Sequence, residues 1–279
     1  MAADKCSMGE ERAELIAGKT QDKYCMGVDI GSTASKCLIL KNGVETVGTG
    51  VIGSGTGTSG PGRAVAAALE MAGLSMEDIS CITATGYGRN SFEGADFIIS
   101  ELSAHALGCH ALFPEARTVI DIGGQDAKAI RVSQQGRLEN FVMNDKCAAG
   151  TGRFLDVMAR VLELKVEELE LRDAQATEAV RISSTCTVFA ESEVISQLSR
   201  NVDINSLVRG IHDSVAVRTA SLARRLGVVE PVVMSGGVAL NGGVVRALER
   251  ELGVSITVSP ITQLGGAYGA AIHGWNKTA

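Results

Sequence analysis

Two aspartates, Asp29 and Asp121, stand in near-copies of one motif whose residue types suit magnesium and phosphate. Each follows an apolar run and opens a turn that ends in lysine, DIGSTASK in the first copy and DIGGQDAK in the second. A carboxylate can hold Mg²⁺ through the waters of the ion, and a glycine-containing turn offers backbone N–H groups to phosphate oxygens. Either motif alone could be an ordinary hairpin turn. Two copies together favour a site for nucleotide phosphates.

The two motifs belong to an internal repeat. A shift of 92 residues (121 minus 29) superimposes Asp29 on Asp121 and Lys36 on Lys128. Each copy predicts a β-hairpin, followed in the same order by a helix, an apolar strand and a glycine turn. These later segments are RAVAAALEMAG and CITATGYGRN in the first half, and SVAVRTASLARRLG and PVVMSGGVALNGG in the second. Self-similarity of this kind predicts a duplicated domain.

Length and composition agree with two domains of an α/β protein. The chain has 279 residues, of which 45% are hydrophobic, with 33 glycines and only 4 prolines. About 150 residues per domain is the usual expectation. We expect a disordered extension in residues 1–23, a first domain in 24–113 and a second in 114–279, with the terminal helix packing back on the first domain.

Charge and hydropathy exclude two classes of partner. The formal net charge is −6 and no basic stripe is visible, which argues against a nucleic-acid surface. No apolar run approaches the roughly 18 residues that suggest a membrane span. The opening segment is charged and lacks the apolar core of a signal peptide. We therefore expect a cytoplasmic protein.

Seven cysteines form no CxxC pair, and their spacing matches neither a zinc site nor a secreted disulfide framework. Cys25, Cys37 and Cys81 lie in apolar runs, which predicts buried thiols. Cys147 and Cys186 instead precede amphipathic helix patterns, in NDKCAAGTGRFLDVMA and SSTCTVFAESEVISQLS. The N-terminus of a helix favours negative charge, and a thiolate is the form of cysteine that binds metals.

Cys147 and Cys186 leave several functions open. Two thiolates are too few for an iron–sulfur cluster, which takes four, but a two-fold dimer would supply two from each subunit. A structural pair of buried thiols, a transient disulfide and a catalytic Cys-His pair are the alternatives. Of the four histidines, none stands in a nucleophile motif, and His105 and His212 lie on predicted helices where a partly buried structural role is expected.

The two DIG motifs and the SGGVALN turn resemble the actin, sugar-kinase and heat-shock-chaperone ATPase superfamily. The resemblance implies two duplicated actin-like (ribonuclease H-like) domains that close on ATP and Mg²⁺. A Walker A loop is absent. The resemblance implies that Asp29 and Asp121 organise the magnesium and that Gln125 orients the attacking water. The nucleotide-binding residues that it implies are Gly31, Ser32, Thr33, Ala34, Ser35, Lys36, Gly123, Gly124, Asp126, Gly236, Gly237, Asn241 and Gln263, the last four at the adenosine.

The two cysteine segments resemble one branch of that superfamily, the activators (component A, archerase) of (R)-2-hydroxyacyl-CoA dehydratases, of the BadF/BadG/BcrA/BcrD type. The resemblance covers nearly all of residues 24–275, including GTGTSGP, ATGYGRN and ISELSAHA. It implies a homodimer with one [4Fe–4S] cluster held by Cys147 and Cys186 of each subunit. It further implies that ferredoxin or flavodoxin reduces the cluster, and that ATP hydrolysis drives single electrons to a dehydratase partner.

Two other functions fit the same superfamily. A small-molecule kinase would transfer phosphate to a hydroxyl, and this chemistry gives no reason for two cysteines that precede helices. A chaperone-like ATPase would need a substrate-binding module, and the chain ends soon after the second nucleotide domain. Iron content separates both from an activator. The acyl-CoA substrate would belong to the partner, so this chain does not specify it.

Overall fold

Two five-stranded sheets with the same strand order organise the chain, and the computed structural model describes residues 22–183 and 186–279. The first sheet has the order β3-β2-β1-β4-β5 and the second, from its corresponding edge, β8-β7-β6-β9-β10. The strands are β1 (Tyr24–Ile30), β2 (Ser35–Lys41), β3 (Glu45–Ile52), β4 (Ile79–Thr85), β5 (Phe97–Ile98), β6 (Thr118–Ile122), β7 (Ala127–Val132), β8 (Leu138–Asn144), β9 (Val232–Ser235) and β10 (Ile256–Val258).

The predicted hairpins and their repeat are confirmed by the strand pairing. β1 pairs antiparallel with β2, and Asp29 stands opposite Lys36. β6 pairs antiparallel with β7, and Asp121 stands opposite Lys128. In each sheet the next strand, β4 or β9, joins parallel to the first strand of the hairpin. Each aspartate therefore faces its lysine across one hairpin.

Eight helices of the described ranges pack around the sheets. They are α1 (Gly60–Ala72), α2 (Glu101–Leu112), α3 (Gly152–Val161), α4 (Leu169–Gln175), α5 (Thr187–Leu198), α6 (Ile204–Leu226), α7 (Gly242–Leu252) and α8 (Gly265–Thr278). α1 and α6 are the helices that the repeat predicts before β4 and β9. No helix in the described part of the chain is long and apolar enough to cross a bilayer.

The central strands are mostly apolar because helices cover both faces of the sheet. On β1, Met26, Val28 and Ile30 pack in one cluster with α1. Gly27 faces the other side, where a Cβ atom would lie 1.9 Å from the carbonyl oxygen of Ala267 in α8. The lack of a side chain on this strand lets the C-terminal helix pack directly on the first sheet.

The largest difference between the two halves is one inserted segment. Seven residues, 53–59, separate β3 from α1, whereas 59 residues, 145–203, separate β8 from α6. Helices α3, α4 and α5 belong to this segment, and so do Cys147 and Cys186. The division into domains 24–113 and 114–279 stays a prediction, and residues 1–21 of the predicted extension lie outside the described residues.

Candidate functional site

A cleft of about 950 Å³ has walls from both halves of the repeat. Its lining includes fifteen of the sixteen residues that the sequence assigned to catalysis or nucleotide binding. They are Asp29, Gly31, Ser32, Thr33, Ala34, Lys36, Asp121, Gly123, Gly124, Gln125, Asp126, Gly236, Gly237, Asn241 and Gln263. Ser35 is the exception: it is fully buried, and its hydroxyl donates a hydrogen bond to the carbonyl oxygen of Ser54 at 2.8 Å.

The tips of the two hairpins have the same turn and meet at the cleft. The Gly31 N–H donates to the carbonyl oxygen of Ala34 at 3.0 Å, and the Gly123 N–H donates to that of Asp126 at 2.9 Å. A Cβ atom on Gly124 would lie 2.0 Å from Thr33 Oγ1. The two tips are therefore in contact, and glycine makes that contact possible.

Asp29 and Lys36 form an ion pair on the floor of the first half. Lys36 Nζ lies 3.2 Å from Asp29 Oδ2, and Asp29 is only 3% exposed. Burial lowers the pKa of Lys36, but the charge of Asp29 and its hydrogen bond outweigh burial, so the pKa is raised. Lys36 is therefore positively charged where it lines the cleft.

Asp121 is held in a denser network on the floor of the second half. Its Oδ2 lies 3.3 Å from Lys128 Nζ, and its Oδ1 accepts a hydrogen bond from Ser235 Oγ at 2.7 Å. His105 Nδ1 is 3.3 Å from the same Oδ1. Burial raises the pKa of Asp121, but His105, Lys128 and Ser235 together hold it below its usual value. Asp121 is therefore a carboxylate at neutral pH.

Lys128 connects the halves through a residue that the sequence did not single out. Its Nζ lies 2.8 Å from Glu101 Oε1 on α2 and 2.8 Å from Asp126 Oδ2. Lys128 is 1% exposed. Burial lowers its pKa, but the charges of Asp121, Glu101 and Asp126 outweigh burial, so the pKa is raised. The repeat signals Lys128 as the counterpart of Lys36, whereas no pattern in the sequence signals Glu101.

The floor of the cleft carries more negative than positive charge. Four carboxylates face two ammonium groups there, belonging to Asp29, Asp121, Asp126, Glu101, Lys36 and Lys128. A divalent cation would neutralise the difference. The described residues contain no group of three or more His, Cys, Asp or Glu side chains arranged to hold a metal. Single carboxylates such as Asp29 and Asp121 are of the type that can hold Mg²⁺ through its waters.

Two glycines lie behind the aspartates, one in each half. Gly86 has φ +85°, and a Cβ atom there would lie 2.5 Å from Asp29 Oδ1. Gly236 has φ +86°, and a Cβ atom there would lie 3.0 Å from Asp121 Oδ1. Gly236 was predicted from the sequence, whereas Gly86 was not. Gly86 could have been found, because a glycine turn follows the predicted strand in both copies of the repeat.

Cys147 and Cys186 differ from the other described cysteines because both are exposed. Cys25, Cys37 and Cys81 are buried, as predicted, and so is Cys109. Cys186 is the N-cap residue of α5, as the sequence predicts. Cys147 is separated from its helix by the short glycine-containing turn, as predicted, and α3 has Thr151 as its N-cap, four residues later.

The turn that carries Cys147 is bonded at both ends. Before it, Asn144 Oδ1 accepts from the Cys147 N–H at 3.2 Å. After it, the N–H groups of Gly152 and Arg153 donate to the carbonyl oxygens of Gly123 and Gly124 at 2.9 and 2.8 Å. The cysteine turn and the second hairpin tip of the cleft are therefore directly connected.

Two exposed thiols on one chain fit a thiolate-bound group that takes its remaining ligands from elsewhere. Within the described residues no third cysteine or histidine joins either of them in a possible metal site. Val188 and Phe189, just after Cys186, are 65% and 68% exposed. The surface at this cysteine is therefore apolar.

Comparison with known proteins gives both the fold and the family. The (R)-2-hydroxyglutaryl-CoA dehydratase activating ATPase of Acidaminococcus fermentans is 57% identical over 257 residues, covering 92% of this chain and 98% of that one. The structure of the activator of the 2-hydroxyisocaproyl-CoA dehydratase from Clostridium difficile, with bound ADPNP, is 56% identical. It matches with a TM-score of 0.89 over 91% of this chain and 95% of that one.

A more distant match supports the predicted fold class alone. A ROK family glucokinase from Streptomyces griseus, 15% identical, matches with a TM-score of 0.53 over 91% of this chain and 99% of that one. The predicted fold, two duplicated actin-like α/β domains, is thereby confirmed. The model of the BadF/BadG/BcrA/BcrD ATPase family matches residues 26–274. The chain therefore belongs to the BadF/BadG/BcrA/BcrD ATPase family.

Proposed function

We propose that this protein is an ATPase that activates a (R)-2-hydroxyacyl-CoA dehydratase by delivering single electrons to it. The observation that carries the proposal is the direct hydrogen bonding between the hairpin tip at Gly123 and Gly124 and the turn that carries Cys147. Relatives more than 50% identical are named as activators of dehydratases for 2-hydroxyglutaryl-CoA and 2-hydroxyisocaproyl-CoA. The acyl-CoA substrate is a property of the partner.

ATP would lie in the cleft with its phosphates between the hairpin tips. We assign the phosphate contacts to the tip residues from Gly31 to Ala34, to Lys36, and to Gly123, Gly124 and Asp126. Gly236, Gly237, Asn241 and Gln263 would hold the adenosine. Ser35 supports the first tip from inside, because its hydroxyl bonds to Ser54 and not to the cleft.

Magnesium would enter with the nucleotide. The floor has an excess of carboxylates over ammonium groups, so phosphates alone would be repelled, and a divalent ion between them reverses that repulsion. Asp29 and Asp121 would hold the waters of the ion. Gln125, at the second tip, would orient the water that attacks the terminal phosphate.

Cys147 and Cys186 of two chains would together hold one [4Fe–4S] cluster. Such a cluster supplies storage of a single electron at a potential that depends on its charge, hydrogen bonds and exposure. A protein donor such as ferredoxin or flavodoxin would supply the electron. Each chain would contribute two thiolates, so the dimer would supply four.

Coupling would pass through the backbone of this chain. Closure of the two tips on ATP moves the carbonyl groups of Gly123 and Gly124, and these accept the N–H groups of Gly152 and Arg153. The start of α3 and the Cys147 turn would move with them. Nucleotide can shift this equilibrium only as far as its affinities for the two arrangements differ.

The first test is iron and acid-labile sulfide per dimer on anaerobically purified protein. We expect about four irons per dimer, from four cysteine ligands, with the iron lost in Cys147→Ser and in Cys186→Ser. Cys37→Ala is the matched control, because this cysteine is buried in the apolar cluster between the first sheet and α1. It should retain iron and ATP hydrolysis.

Two results would overturn the proposal. If the protein contains no iron, hydrolyses ATP and is stable in oxygen, the alternative function, a small-molecule kinase of this fold, is favoured. If both serine variants retain the full iron content, Cys147 and Cys186 are not the iron ligands. A size measurement in the same samples tells whether loss of iron accompanies loss of the dimer.

A further inference from the structure

A buried chain of polar groups reaches the adenosine side of the cleft from behind. His212 on α6 is 0% exposed, and its Nε2 lies 3.3 Å from Asn241 Nδ2. On the other side of the ring, His212 Nδ1 lies 3.4 Å from Asp173 Oδ1 on α4. Asn241 lines the cleft, whereas His212 and Asp173 do not. These three polar groups therefore connect a cleft residue with the interior of the protein.

The hydrogen bonds of Asn241 determine which nitrogen of His212 carries the proton. Asn241 Oδ1 accepts the N–H groups of Gly243 and Val244, at 3.0 and 3.2 Å, and caps α7. The amide NH₂ of Asn241 can only donate, so His212 Nε2 must accept. The ring proton then lies on Nδ1, toward Asp173. Asn241 is therefore the donor to His212, and His212 carries its proton on the side of Asp173.

Asp173 keeps its negative charge because cations surround it. Arg246 donates to Asp173 Oδ2 at 3.0 Å, and Arg209 Nε lies 3.6 Å from Oδ1. Burial raises the pKa of Asp173, but the neighbouring His212 and Arg246 outweigh burial and lower the pKa to about 2. The carboxylate therefore favours the His212 tautomer with its proton on Nδ1.

The start of α7 has two glycines that allow this arrangement. A Cβ atom on Gly243 would lie 2.5 Å from His212 Nδ1, and one on Gly242 would lie 2.2 Å from Glu170 Oε1. Glu170 lines the cleft and lies 3.3 Å from Arg246 NH1. The backbone of the NGG segment thus packs directly on the imidazole and on a second cleft residue.

We propose that His212 is a positioning residue for nucleotide binding: it holds the Asn241 amide, and with it the first turn of α7, in the orientation that forms the adenosine side of the cleft. This inference rests on the proposed nucleotide function and deepens it. His212 would touch no nucleotide atom. Its contribution would be to fix a residue that does.

The test compares ADP binding by calorimetry in His212→Leu and His212→Gln, using whole protein with its metal centre intact. Leucine removes the acceptor, and we expect ADP affinity to fall about tenfold, the cost of one unsatisfied buried amide. Glutamine can still accept from Asn241 with its side-chain oxygen and should recover most of the affinity. The KM for ATP should rise, with kcat little changed.

Two further variants separate positioning from general destabilisation. Val208 lies one turn away on the same helix, is also fully buried and has no polar group that could bond to Asn241, so Val208→Ala is the control. It should lower the melting temperature but not ADP affinity. In an Asn241→Ala background, His212→Leu should cause no additional loss of affinity, because both changes remove the same interaction.

The outcomes distinguish this inference from the proposed function. If the wild-type protein binds no adenine nucleotide, the nucleotide site itself is wrong, and the inference fails with it. If the wild-type protein binds ADP and His212→Leu binds equally well, only the positioning role is overturned. An equal loss in Val208→Ala, or no recovery in His212→Gln, would overturn it as well.

Discussion

At the scale of single residues, the cleft depends as much on absent side chains as on present ones. Asp29 and Asp121 are held by Lys36 and Lys128 in front. Behind each, a glycine with positive φ leaves the space that the carboxylate occupies. A search of the sequence for charged residues finds the aspartates and lysines but overlooks the glycines.

We expect Gly86→Ala to disturb the site as well as the fold. Positive φ alone costs an alanine about 1–2 kcal/mol, but at Gly86 the new methyl group would also lie 2.6 Å from the Ile30 carbonyl oxygen. Asp29 and the first tip must then shift. Calorimetry should show weaker binding of Mg·ADP in addition to a lower melting temperature.

Gly94→Ala is the matched control for that variant. Gly94 has φ +88°, nearly the same as Gly86, but a Cβ atom there would meet nothing within 4 Å. It should lose stability from the backbone conformation and keep its nucleotide affinity. Equal affinity in the two variants would contradict a role of Gly86 in shaping the site.

At the scale of elements, the inserted segment 145–203 turns a common ATPase frame into a more specialised one. It carries α3, α4 and α5 together with both exposed cysteines. Its first helix begins with hydrogen bonds to the second hairpin tip. Its second helix carries Glu170, which lines the cleft, and Asp173, which lies beside His212 behind Asn241. Both ends of the nucleotide site are thus in contact with the same insertion.

One of the two hydrogen bonds of the link at α3 can be removed by changing one residue. Gly152 is the first residue of the helix, a position that accepts proline, and Thr151 before it is extended, at φ −123° and ψ 174°. Gly152→Pro deletes the N–H that bonds to Gly123. We expect this variant to keep its iron and hydrolyse ATP, but to activate the dehydratase poorly.

The measurement is the rate at which a chelator removes iron, with and without ATP. In the wild type ATP should change this rate, and in Gly152→Pro, which retains only the Arg153 bond, the change should be smaller. Gly152→Ala is the control, because it adds a Cβ atom at the same place and retains the N–H. If ATP alters the rate equally in the proline variant, coupling follows another path.

At the scale of the whole molecule, the repeat explains what the sequence could predict. Matching Asp29 to Asp121 and Lys36 to Lys128 predicts both hairpins, and the register confirms the pairing across each of them. Local patterns also predict that Cys186 begins a helix. The functional residues of the repeat can be predicted because the two copies have the same residue types at matching positions.

The remaining contacts join segments that are distant along the chain. His212 and Asn241 are 29 residues apart, and Ser235 bonds to Asp121 across 114 residues. Periodicity places His105 and His212 on helices but does not say what they face. Both are buried, and His105 proves to line the cleft. Such roles are set by packing between elements, which one-dimensional patterns do not contain.

The bonds from Gly152 and Arg153 to the second hairpin tip have a consequence in the reverse direction. Thermodynamic linkage requires that two coupled sites influence each other's affinity by the same factor, typically about 5- to 150-fold. ADP should therefore bind with different affinity before and after dithionite reduces the metal centre. Calorimetry on the two forms measures this, and equal affinities would show no coupling. The nucleotide affinity of the cleft would then report the redox state of the proposed metal centre.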